Sequence, residues 1–133
     1  MKIYLASRYQ NYPLMQEWSA ELFYYGHDVT SRWIKGDHEI TTDAKGDEER
    51  RRFAEEDIQD LMEADVIIFH SDPFFFRSGR GGRHVEFGMA LALKKKIVLI
   101  GERENVFHWL PNVLIYQSFE EYVLYLAKGK EGV

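Results

Sequence analysis

Asp65-Val66-Ile67-Ile68-Phe69-His70 is apolar at every interior position and rich in β-branched residues. A strand with one face in water alternates polar and apolar residues, whereas an unbroken apolar run is buried on both faces, as in a parallel sheet covered by helices. The flanks agree. Upstream, Asp47 to Ala64 is a charged helical stretch. Downstream, Gly79-Arg80-Gly81-Gly82-Arg83-His84-Val85-Glu86-Phe87-Gly88-Met89-Ala90-Leu91-Ala92-Leu93 is a glycine- and arginine-rich loop entering an almost wholly apolar helix.

Farther out the alternation continues. Lys2 to Ala6 reads as a strand, Pro13 to Tyr25 as a helix with Gly26 as its stop, and Asp28 to Trp33 as a polar second strand. Leu14, Trp18 and Leu22 form the expected inner stripe of that helix. Ile34 to Gly46 is loop-like, Lys96 to Ile100 another buried strand, and Val113 to Tyr116 a last strand before a helix from Phe119 to Ala127. The pattern predicts a single α/β domain over residues 1–133. Its expected form is a three-layer, flavodoxin-like or Rossmann-like arrangement around a five-stranded parallel sheet, with its site at the carboxyl ends of the strands.

A chain of 133 residues with 45% hydrophobic and 15% aromatic content is long enough to bury a single core and too apolar for disorder. The net charge of −5 argues against binding to nucleic acid polymers. The absence of cysteine excludes disulfides, thiolate metal sites and a cysteine nucleophile. No segment approaches the ~18 apolar residues of a membrane span, and Lys2 to Ala6 is too short for a signal peptide, so a soluble cytoplasmic protein is expected.

Two carboxylates stand out. Glu86 is expected in the first turn of an apolar, buried helix, where the helix dipole and the cationic loop before it should favour the ionised form. An ionised carboxylate shielded from water is what a nucleophile requires; a glutamate that merely complements the dipole is the alternative. Asp57 is the second. At about 100° per residue, with Asp57 as origin, Phe53 falls near −40°, Ala64 near −20°, Leu61 near +40°, Ala54 near +60° and Ile58 near +100°. Asp57 therefore sits inside the apolar arc, away from Glu49, Arg52, Glu56 and Glu63. It is either a buried cap for a neighbouring loop or a second carboxyl group facing Glu86, and two carboxyls on one rim suit glycosyl chemistry.

Other motifs fail. The Gly79 to His84 loop follows the third strand, not the first, and has His84 where a dinucleotide fingerprint needs glycine. No Gly-Lys-Ser/Thr phosphate loop and no serine elbow is present. The five histidines (His27, His38, His70, His84 and His108) lack paired ligand spacing, so no metal and no cofactor is expected. Phe74-Phe75-Phe76 is expected to line a pocket or a subunit interface.

With Tyr4, Asp57 and Glu86 identified, the chain resembles the nucleoside 2-deoxyribosyltransferase family, which includes the 2'-deoxynucleoside 5'-phosphate N-hydrolases. The resemblance runs from Lys2 to about Val113. It rests on Lys2-Ile3-Tyr4-Leu5-Ala6-Ser7, on Glu56-Asp57 through Asp65-Val66-Ile67, and on Val85-Glu86-Phe87-Gly88. It implies that Glu86 attacks the anomeric carbon, that Asp57 assists departure of the base, and that Tyr4 orients Glu86. It further implies substrate contacts at Ser7, Arg8, Trp33, Ser78, Gly79, Arg80, Gly81, Gly82, Arg83 and His108. Partners would be a deoxynucleoside or deoxynucleotide and a free base, within a homo-oligomer whose neighbouring subunit contributes through Glu104 to Pro111.

One position departs from the family. Six residues before the nucleophile, transferases tend to carry an aspartate for the 5'-hydroxyl and N-hydrolases a serine for the 5'-phosphate; this chain has Arg80. An arginine beside glycine amides at a helix N-terminus favours an anionic ligand. The alternative to an enzyme is a catalytically silent nucleotide-binding sensor of the same fold.

Overall fold

Five parallel strands, β1 (Lys2–Ala6), β2 (Asp28–Val29), β3 (Val66–His70), β4 (Lys96–Ile100) and β5 (Val113–Tyr116), lie in the order β2-β1-β3-β4-β5 in the computed structural model. The structure describes residues 1–39, 46–73 and 80–129. Tyr4 pairs with Ile67, Ile68 with Val98, and Leu99 with Ile115. Ile67, Ile68, Phe69 and Ile97 to Leu99 are fully buried, as expected of strands covered on both faces.

The covering helices are α1 (Tyr12–Tyr24), α2 (Gly46–Glu63), α3 (Gly82–Ala92) and α4 (Phe119–Ala127). Consecutive strand residues point to opposite faces. On β3, the Phe69 ring meets Phe87 of α3 while His70 meets Trp18 of α1, so α3 and α1 cover opposite faces. Trp18 stacks on Phe119 at 4.3 Å and 3°, placing α4 beside α1, and α2 packs against α3. The result is the expected three-layer α/β domain. The chain leaves β1 toward β2 on one side and β3 toward β4 on the other, which opens a crevice at the carboxyl ends of β1 and β3.

Three expectations are corrected. The second strand is Asp28–Val29, shorter than Asp28 to Trp33. Beyond it, side chains replace the ladder on β1: Ser31 Oγ accepts from Leu5 N at 2.7 Å, and Trp33 Nε1 donates to Leu5 O at 2.8 Å. Arg32–Lys35 instead forms a 3-10 turn, with Arg32 N held by the Asp60 carboxylate at 2.9 Å. On α1 the buried stripe is Met15, Trp18 and Leu22, and Leu14 is only partly buried. On α2 the buried arc is rotated away from Ala54 and Ile58, which are exposed, toward Asp60, which is buried to meet the Arg32 guanidinium at 2.9 Å. Asp57 and Phe53 remain at the edge of that arc, half-buried. Phe74 to Phe76 lie outside the described residues.

Candidate active site

The crevice holds a cavity of about 610 Å³. Its walls come from the segments after β1 and β2, from α2, and from the start of α3. Ser7, Arg8, Trp33, Arg80, Gly81, Gly82 and Arg83 line it with Asp57 and Glu86. Ser78 and Gly79 lie outside the described residues. Gly81, immediately before α3, has φ of 85°, a left-handed conformation that glycine adopts without strain and that turns the loop into the helix.

Tyr4 is fully buried on β1, behind the cavity wall, and its hydroxyl donates to Glu86 Oε2. Glu86 is the fifth residue of α3 and so lies one turn inside the helix, not within its first turn. That correction matters electrostatically. The free N–H groups of the helix N-terminus are a turn away, and burial pushes the Glu86 carboxyl up to about 8. The expectation that dipole and cationic loop would keep it ionised is therefore not met. Of the two arginines there, Arg83 is already engaged: nearly fully buried, it contacts Glu104 Oε1 at 2.6 Å and Asp72 Oδ2 at 3.3 Å. Asp72 also takes Arg8 Nε at 2.9 Å, so this one carboxylate bridges two guanidinium groups on the cavity wall.

Asp57 faces the same cavity from α2. Its Oδ1 is buried without a hydrogen-bond partner, and burial, reinforced by Asp60 and Glu56 and opposed by Arg32, raises its carboxyl to about 7. His38 Nδ1 stands 3.7 Å from that oxygen, with its ring stacked on Phe53 at 4.3 Å. Burial lowers the His38 pKa, so at neutral pH the neutral ring adds little positive charge beside Asp57. Two carboxyls thus share one cavity, each poised to hold a proton near neutrality.

Arg80 is exposed at the mouth and, among the described residues, has no ion pair. Its charge is available to a ligand, unlike those of Arg8 and Arg83. His108 is corrected. It is fully buried away from the cavity, its Nδ1 accepting from Glu104 N at 2.9 Å and its ring packed against Phe87 and Phe69.

Sequence reasoning missed Tyr9, Gln10, His38, Arg50 and Phe53 as lining residues. Phe53 was findable, since it lies on the same arc as Asp57 one turn earlier. His38 sits in an aperiodic loop that offers no such signal. Among the described residues no group of three or more His, Asp or Glu side chains is placed to hold a metal, and no helix is long and apolar enough to cross a membrane.

Comparison with known proteins bears on this geometry. The family model described as nucleoside 2-deoxyribosyltransferase matches residues 3–122. Among solved structures, the chain is similar to a 2-deoxyribosyltransferase from Bacillus psychrosaccharolyticus, at 19% identity and a TM-score of 0.69, over 92% of this chain and 90% of that one. It is also similar to a CMP N-glycosidase from Clostridium botulinum, at 21% identity and a TM-score of 0.63, over 96% of this chain and 99% of that one. At such identities the likeness is one of fold. No curated protein sequence matches.

Proposed function

Since the chain belongs to the nucleoside 2-deoxyribosyltransferase family, we propose that it cleaves the N-glycosidic bond of a 2'-deoxynucleoside or its 5'-monophosphate with retention. The observation that carries this reading is the Tyr4 hydroxyl donating to a Glu86 carboxylate that shares one cavity with a proton-holding Asp57.

The chemistry follows in two displacements. Ionised Glu86 attacks the anomeric carbon as the bond to the base breaks, leaving the deoxyribosyl group as an ester on the glutamate. The electron pair of the broken bond goes to the base nitrogen, which takes the Asp57 proton. An acceptor base or water then attacks the same carbon, gives its proton to Asp57, and releases Glu86. Tyr4 stabilises the carboxylate through its donated hydrogen bond and holds one oxygen away from the sugar. Arg80 supplies the charge for a 5'-phosphate.

One observation favours the silent-sensor alternative. Burial pushes the Glu86 carboxyl up to about 8, which favours its protonated form at neutral pH, and a protonated carboxyl is a poor nucleophile. The discriminating experiment incubates the protein with each deoxynucleoside, its 5'-monophosphate and CMP, with and without a competing base, and resolves the products. Free base or exchanged nucleoside, together with a sugar adduct on Glu86 by mass spectrometry, supports the proposal. Tight binding with no product in any combination would establish the sensor instead.

The 3-10 turn Val106–Trp109 that follows β4 exposes Val106, Phe107 and Trp109, and Leu110 beside it is also exposed. An apolar surface of this kind supports a homo-oligomer, with a second copy covering it.

A further inference from the structure

Ser7, at the carboxyl end of β1, is a cavity-lining residue whose hydroxyl is held by two side chains. Asn11 Nδ2 donates to Ser7 Oγ at 2.8 Å, and Ser7 Oγ stands 2.9 Å from His70 Nδ1. The same Asn11 nitrogen lies 3.4 Å from His70 Nδ1. A hydroxyl has one proton and two lone pairs. With Asn11 donating to Ser7 and its amide nitrogen also facing Nδ1, an accepting Nδ1 is the arrangement that satisfies both contacts, and the serine proton then goes to it. Ser7 then has no proton left for a ligand, only one lone pair. Turning the Asn11 amide over does not release the proton, because the amide oxygen would then compete for it.

The surroundings keep His70 neutral. It is mostly enclosed, with the Trp18 ring packed T-shaped against it at 5.1 Å between centroids, and burial lowers its pKa. Asp72 and Glu104 act to raise it, while Arg8 and Arg83 act to lower it; burial outweighs them all. Protonated His70 would present a second donor to Ser7 and free the hydroxyl proton. The polarity of Ser7 toward the cavity therefore follows the charge on His70.

Resting on the reading of this cavity as a nucleoside or nucleotide site, we propose that the Asn11–Ser7–His70 chain fixes Ser7 as a hydrogen-bond acceptor that recognises a hydroxyl of the ligand's sugar and disfavours its anionic end. Asn11 and His70 are positioning residues in this arrangement. A lone pair aimed at phosphate oxygens is repulsive, so the phosphate is directed to Arg80 and Ser7 meets a donor.

Two measurements test this. Nitrogen-15 NMR of histidine-labelled, ligand-free protein near neutral pH should find His70 Nδ1 unprotonated and Nε2 protonated, with the Nδ1 resonance moving in Ser7→Ala. A protonated Nδ1 overturns the proposal. Calorimetric binding, in a Glu86→Gln background so that ligand is not consumed, then compares a 2'-deoxynucleoside with its 3'-deoxy and 5'-deoxy analogues. Removing the recognised hydroxyl should weaken binding roughly two- to tenfold, and Ser7→Ala should erase that difference without lowering any preference for the 5'-monophosphate. His70→Gln, whose carbonyl can still accept from Ser7, should keep the hydroxyl preference; His70→Phe should lose it. Equal losses for every analogue, or the same preference in both His70 variants, overturns the proposal. Should no nucleoside or nucleotide bind at all, the glycosidic reading of the cavity fails, while the His70 tautomer still decides the polarity of Ser7.

Discussion

Tyr4 and Glu86, 82 positions apart in the chain, meet because β1 and α3 pack face to face, so that a strand hydroxyl donates to a helix carboxylate at the cavity wall. That hydrogen bond favours the ionised form of Glu86, and burial opposes it. Tyr4→Phe removes the influence that favours ionisation and leaves burial unopposed. The acid limb of the pH–rate profile should move to higher pH, and turnover at neutral pH should fall on the order of tenfold. Unchanged limbs in a well-folded Tyr4→Phe protein would show that the tyrosine serves packing alone.

Glu86→Gln keeps the side-chain volume but cannot form an ester, so turnover should drop at least on the order of a hundredfold. Stability should respond in the opposite sense. Glu86 rises from an ordinary 4.5 to about 8 on folding, so between those values the folded chain holds a proton that the unfolded chain has released. Its contribution to stability is therefore greatest in acid and falls as pH climbs toward 8. Melting temperatures of native and Glu86→Gln protein should diverge over that range in favour of the variant. Parallel curves would mean that the carboxyl is not desolvated.

Asp57 must hold a proton that Glu86 must have lost, yet their values are about 7 and about 8. The productive combination is then held by a minority of molecules and is most populated between those two values. The profile of kcat/KM should be a bell centred there, with limbs set by the pair. Asp57→Asn should suppress base departure while leaving the protein as stable or more so above neutral pH. A sharp loss of stability with normal activity per folded molecule would make Asp57 structural.

Arg80 predicts substrate form. A deoxynucleoside 5'-monophosphate should outperform the matching nucleoside, and Arg80→Ala should erase the difference while sparing the nucleoside. A charge-assisted contact of about 1.5–3 kcal/mol corresponds to roughly ten- to a hundredfold. Equal rates for both substrates in the native protein would reduce Arg80 to a surface charge.

The apolar turn at Val106, Phe107 and Trp109 predicts self-association. Light scattering should find a mass above that of one chain, and Phe107→Glu should lower it. An active monomer contradicts the expectation.

Much of this was legible in the residues, and the exceptions have physical causes. The unbroken apolar run of β3 and the glycine loop before α3 announced a parallel sheet, and Asp57 and Glu86 do share one cavity, with Tyr4 behind its wall bonded to Glu86. The short β2 was not legible, because Ser31 and Trp33 satisfy β1 through side chains that a propensity reading counts as strand. The rotation of α2 depends on Arg32 reaching Asp60, a long-range pair with no local signature. His108, a substrate contact implied by the resemblance, is instead consumed by the Glu104 amide and two phenylalanine rings. The protonation of Glu86 was misjudged because a helix N-terminus acts over only about a turn, whereas burial acts wherever water is excluded.

The indole of Trp33, pinned to the Leu5 carbonyl at 2.8 Å and facing the cavity, gives this chain an internal optical gauge. Its two fellow tryptophans occupy different settings: Trp18 lies flat against Phe119, and Trp109 lies on the outer apolar turn beneath the Arg103 guanidinium. A ligand entering the cavity would displace water from beside Trp33 and leave the other two environments as they are. With Trp18 and Trp109 replaced by phenylalanine, the emission of one fluorophore would then report occupancy in real time, with no label and no need for turnover.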